Sequence, residues 1–134
     1  MRVLLDTHIL LWALEDSVRL SERARKLIVS PSNQVYVSTI SLWEIELKHA
    51  AHPHRMLYGA QQISSFCKQA GYQSLQVAER HILALPTLQY EEGRPPHHDP
   101  FDRVMLCQAK VDGLVLVTHD SLFPNYLEGC VLRV

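Results

Sequence analysis

A chain of 134 residues suits a single domain, one able to bury about 65–70% of the surface that its unfolded form would expose. Its 47% hydrophobic and 20% charged residues exclude a disordered or fibrous protein, and its formal charge of −1 does not announce a nucleic-acid binder. Apolar runs are strand-sized, far short of the ~20 residues of a membrane span, and Val3-Leu4-Leu5 is too short for a signal-peptide core, so a cytoplasmic protein is expected.

Val3-Leu4-Leu5 reads as a short buried strand, and Asp6-Thr7 marks its end and the start of a helix carrying Ile9, Leu10, Trp12 and Ala13. Ser21 caps a second helix, Glu22 to about Val29, which Pro31-Ser32-Asn33 ends. Val35-Tyr36-Val37 is the next strand. Ser38-Thr39 then opens a helix whose predicted apolar face is Ile40, Trp43 and Leu47, with Glu44 beside it as the odd residue. His49 to Tyr58 is irregular, and Gln61 to Ala70 is a helix closed by Gly71. Ser74 to Val77 alternates like a strand, Ala78 to Leu85 is a short helix ended by Pro86, and Gly93-Arg94-Pro95-Pro96 is a loop.

Asp99-Pro100 is a helix start, because Asp is a favoured N-cap and proline at the first helical position loses no hydrogen bond it needed. That helix carries Asp102 in its first turn, presents Val104, Cys107 and Val111 on one face, and stops at Gly113. Leu114 to Val117 is a strand covered on both faces, followed by Thr118-His119-Asp120, and Val131 to Val134 closes the chain. Strands separated by helices require crossover connections, so the fold class is α/β, with a mainly parallel sheet between two helical layers.

Ligand sites in such sheets form beyond the carboxyl ends of the strands. Asp6 and Asp120 each follow a strand, and Asp102 opens the helix that feeds the last long one. Helix capping accounts for Asp6, Asp99 and Asp120 taken singly, but it leaves Glu44 unexplained against an apolar helix face. Clustered carboxylates repel one another unless a cation sits among them, and oxygen-only ligation suits Mg²⁺ or Mn²⁺. The chemistry that uses such a site is metal-assisted phosphoryl transfer. Basic rims around it can still steer a phosphate backbone.

The blocks Val3-Leu4-Leu5-Asp6-Thr7-His8, Ser-x-x-Ser-x-Trp-Glu-Ile from Ser38 to Ile45, Asp99-Pro100-Phe101-Asp102-Arg103 and Leu116-Val117-Thr118-His119-Asp120 resemble the four motifs of PIN-domain ribonucleases. More narrowly, they resemble the VapC-type toxins of bacterial toxin–antitoxin pairs. The resemblance runs in order over almost the whole chain and implies one PIN domain over residues 1–134, a Rossmann-like three-layer α/β/α fold. It implies Mg²⁺, or Mn²⁺, held by Asp6, Glu44, Asp102 and Asp120. Around them Thr7 and Thr118 would supply hydroxyls to phosphate or metal-bound water, Arg103 would pair with the substrate backbone, and Asp99 would act mainly as a cap. It further implies an RNA substrate, a small VapB-type antitoxin and a homodimer. His119 departs from the pattern, since many relatives carry Arg or another residue there.

Two alternatives keep the fold and change the role: an RNA-processing PIN nuclease without a toxin function, and a catalytically idle PIN binding module. His97, His98 and the group His49, His52 and His54 lack the spacing of a zinc site and read as solvent-facing loop residues. Cys67, Cys107 and Cys130 are widely spaced core residues rather than a disulfide framework. Trp12, Tyr36 and Trp43 read as core rather than as base-stacking platforms.

Overall fold

Val3, Leu4 and Leu5 are completely buried because their strand, β1 (Arg2–Leu5), lies at the centre of the sheet. The computed structural model describes residues 1–134. After β1 come α1 (Thr7–Glu15), α2 (Glu22–Val29), β2 (Gln34–Ser38), α3 (Thr39–Ala51), α4 (Ala60–Gln69), β3 (Gln73–Leu75) and α5 (Glu79–Leu83). The chain ends with α6 (Pro100–Asp112), β4 (Val115–Thr118) and β5 (Val131–Arg133), with 3-10 turns at Leu85–Thr87 and Phe123–Asn125. No helix is long and apolar enough to cross a membrane.

The strand order is β3-β2-β1-β4-β5, and every pairing is parallel. Side chains of a strand alternate between faces, so β1 serves two cores. Val3 and Leu5 join Val35, Val37 and Val117 under α1, α2 and α4, whereas Leu4 joins Leu116 under Met105, Leu106 and Ala109 of α6. Each fully buried aliphatic side chain contributes about 1.5–3 kcal/mol relative to exposure, which makes this doubly covered strand the anchor of the fold. The two halves of the sheet are wound in opposite directions from β1. A crevice therefore opens between the carboxyl ends of β1 and β4, the switch point where ligands bind in open α/β sheets.

Several boundaries differ from expectation. The third helix continues through His49 to Ala51, the third strand begins at Gln73 and ends at Leu75, and the fifth helix is only Glu79–Leu83. A larger difference is the roll of α3. Trp43 and Leu47 are 56% and 48% exposed, and the inward residues are Ile40, Ser41, Glu44 and Ile45. Pattern reading assumes that an inward face meets only hydrocarbon. Here Ile40 and Ile45 reach the two cores, Glu44 lines the crevice, and Ser41 is buried between Thr7 and Met105. Trp43 packs edge-on against Phe101 of α6 instead, with ring centroids 5.0 Å apart. On α6 Val111 is likewise outside, 40% exposed, and the core face is Met105, Leu106 and Ala109. Gly113 ends that helix at φ 70°, a left-handed conformation open to a residue without a Cβ.

Candidate metal centre

Asp6 caps α1: its Oδ1 accepts the Ile9 amide at 2.8 Å, and its Oδ2 accepts the Thr118 hydroxyl. Residue 6 is 6% exposed. Burial drives its carboxyl above the usual carboxylate range, and the bonds from Thr118 and Ile9 oppose that rise. Thr7 opens α1 and donates to Glu44 Oε1 at 2.8 Å. The other Glu44 oxygen accepts from Lys48 Nζ at 2.8 Å, one helical turn further along α3. Glu44 is thus held at both oxygens, which offsets part of its desolvation.

Asp99 caps α6 by accepting the Asp102 amide at 3.1 Å, with Pro100 at the first helical position. That cap aims the first turn, and so Asp102, into the crevice. Asp120 follows β4, where its amide donates to Thr118 Oγ1 at 3.0 Å and its Oδ1 accepts the Leu122 amide at 2.7 Å. Four chain segments therefore bring Asp6, Glu44, Asp102 and Asp120 to one cleft of about 300 Å³. Its walls add Thr7, Asp99 and Lys48, and a rim of His8, Trp12 and His119. Trp12 is the lone apolar lining residue and meets His8 and His119 edge-on, at centroid distances of 5.9 and 5.5 Å.

Crowding is most severe at Asp102. Burial, reinforced by the charges of Asp99, Asp6, Glu44 and Asp120, pushes its carboxyl up to about 8. A cation would reverse that penalty. The donor set fits a hard one, because Oδ1 of Asp102 and Oδ2 of Asp120 carry no protein hydrogen bond, and carboxylate oxygens suit Mg²⁺ or Mn²⁺. The tightest grouping of potential ligand atoms is that of His97, Asp102 and Asp120, all within 4.8 Å of one another.

Three placements depart from the sequence reading. Thr118 is committed to Asp6 and to the Asp120 amide, so it braces the carboxylates and does not line the cleft. Arg103 is not among the residues that line the cleft. His97 is not a solvent-facing loop residue: it is buried, with Nδ1 2.7 Å from the Tyr126 hydroxyl and Nε2 3.1 Å from Asp102 Oδ2. Nothing in the string of residues distinguishes it from His98, which is exposed. Lys48 was also missed, although its position four residues after Glu44 on a helix signals an ion pair.

The family model described as PIN domain matches residues 3–127. Among solved structures, a chain of the VapBC2 complex from Rickettsia felis bound to a promoter DNA fragment superposes with a TM-score of 0.70 at 14% identity, covering 99% of this chain and 98% of that one. A chain of VapBC-1 from nontypeable Haemophilus influenzae superposes with a TM-score of 0.60 at 20% identity, covering 93% of this chain and 92% of its own. No curated protein matches significantly.

Proposed function

This chain belongs to the PIN-domain family, and we propose that it is a divalent-metal-dependent endoribonuclease, a VapC-type toxin that a small VapB-type antitoxin holds inactive in the cytoplasm. The observation that carries the proposal is the convergence of Asp6, Glu44, Asp102 and Asp120 on one cleft at the switch point of the sheet. Such a cluster is poorly suited to be vacant of charge compensation, as the rise at Asp102 records. The two solved neighbours are chains of VapBC complexes, which supports the toxin reading and the antitoxin partner.

In this reading Asp6, Asp102 and Asp120 hold Mg²⁺ or Mn²⁺. Glu44, also in the lining, would ligate as well or orient the attacking water. A divalent ion held there would lower the pKa of a water and neutralise charge on the phosphodiester. Thr7 fixes Glu44, Thr118 fixes Asp6, and Asp99 sets the helix turn that carries Asp102. Lys48 is the cation inside the cleft, placed to meet a substrate phosphate. The exposed Trp43 and Leu47, beside Phe101, offer a surface for a second copy of the chain.

The test is cleavage of a panel of structured RNAs by the purified chain. Mg²⁺ and Mn²⁺ should support turnover, Ca²⁺ should not because it prefers longer bonds and more ligands, and chelator should silence the enzyme reversibly. Asp102→Asn should be inactive yet folded. Undiminished cleavage in excess EDTA would overturn the metal mechanism, and a fully metal-loaded chain that cuts no RNA would favour the idle binding module.

A further inference from the structure

The side chain of His97 is 3% exposed, and its ring packs against Phe123 and Tyr126 at centroid distances of 5.1 and 5.4 Å. Both aromatic residues come from the segment that follows Asp120. Tyr126 in turn pairs with Tyr90 through an antiparallel bridge, their rings 4.8 Å apart, so the loop that delivers His97 is anchored from behind. Each ring nitrogen has one partner: Tyr126 Oη lies 2.7 Å from Nδ1 and Asp102 Oδ2 lies 3.1 Å from Nε2.

We propose that His97 is a positioning residue of the metal centre, holding the Asp102 carboxylate by one oxygen so that the other faces the cation, with Tyr126 selecting the tautomer that makes this possible. The inference rests on the metal reading above. With a cation bound Asp102 would be ionised and would only accept, so Nε2 must carry the proton, and a neutral imidazole then has a bare Nδ1 that accepts the Tyr126 O–H. Hydrogen bonding takes Oδ2 and leaves Oδ1 without a protein partner, on a residue that lines the cleft. Without that bond, four neighbouring carboxylates would repel Asp102 and no side chain would restrain its torsion. Partners that orient a metal ligand in this way typically matter 10- to 100-fold, roughly, in affinity.

Mn²⁺ binding to the full-length chain, read by electron paramagnetic resonance, tests this without reference to turnover. His97→Ala should weaken Mn²⁺ binding roughly tenfold or more. His97→Gln, whose amide nitrogen reaches the place of Nε2, should recover most of that loss. Tyr126→Phe should fall between the two and should shift the His97 ring-nitrogen resonances away from a single Nε2–H tautomer. If His97→Ala does not fold, His97→Gln and Tyr126→Phe decide the matter by the same readouts. Unchanged affinity in His97→Ala, or a His97→Gln as weak as His97→Ala, would overturn the proposal, as would a nitrogen coupling showing His97 bound directly to Mn²⁺. Asp102→Asn separates the two levels. If it loses Mn²⁺ while the His97 variants keep it, only the positioning role fails; if it too binds normally, the metal centre itself is wrong.

Discussion

Thr118 at the end of β4 donates its hydroxyl to the carboxylate of Asp6 at the end of β1, across 112 positions of sequence, and the same oxygen accepts the Asp120 amide at 3.0 Å. One buried hydroxyl therefore sets the spacing between the two carboxylates that flank the switch point. Thr118→Val keeps the shape and removes both bonds, leaving a buried carboxylate oxygen and an amide without their partner. The expected loss is about 2 kcal/mol of stability in chelator, measured by urea unfolding, together with more than tenfold weaker cleavage. Thr118→Ser should restore both, and a Val variant of wild-type stability would contradict the bracing role.

The raised carboxyl of Asp102 predicts how the metal-free protein responds to pH. Between its unfolded value near 3.8 and its folded value of about 8, the native state binds the extra proton, so stability falls as pH rises through that range. Burial lowers the His97 imidazole below its ordinary 6.5, which contributes the opposite slope up to about that pH and none above it. The window clear of His97 is therefore pH 7 to 8, where the Asp102 slope should approach about 1 kcal/mol per pH unit and the raised Asp6 carboxyl can only add to it in the same direction. Thermal melts in EDTA should show it, Asp102→Asn should reduce it, and saturating Mg²⁺ should abolish it. A chelated wild-type protein equally stable at both ends of the window would contradict the crowding.

Lys48 is half-exposed, so its pair with Glu44 contributes little to stability, under about 1 kcal/mol. Its place in the cleft predicts a role in substrate binding instead. Lys48→Met should raise KM for a short RNA about tenfold at low ionic strength with kcat little changed, and the difference should shrink as salt is added. A fall in kcat alone would instead mean that Lys48 acts only by orienting Glu44.

Inhibition should exploit the same charges. Asp102 Oδ1 and Asp120 Oδ2 are free to accept, and an arginine can bind carboxylates through parallel hydrogen bonds while remaining charged. The antitoxin is expected to insert an Arg there, and replacing that Arg by Ala should restore nuclease activity while only partly weakening the complex. A structure of the inhibited complex with the cleft open and metal-filled would rule this out.

Much of this was legible in the residues themselves. Val3-Leu4-Leu5 and Leu116-Val117 read as doubly buried strands because only a central parallel strand needs apolar side chains on both faces. Asp99-Pro100 read as a helix start because capping is chemistry of neighbours in sequence, and the structure shows that cap. Asp6 and Asp120 drew notice by following strands, Asp102 by opening a helix, and Glu44 by standing against an apolar helix face.

What only the tertiary structure decided concerns partners distant in sequence. The roll of α3, which leaves Trp43 outside and turns Glu44 into the cleft, depends on what the helix packs against, and its own periodicity pointed the other way. His97 and His98 are the same residue type side by side. One is buried against Tyr126 and Asp102 and the other is exposed, because the segment after β4 closes over the first alone. The elevation at Asp102 is likewise a property of the assembled site: Asp6 and Glu44 lie far upstream, and Asp120 comes from a different strand end. Local propensity can place each carboxylate on its element, but the repulsion that calls for a cation exists only once the folded chain has brought them together.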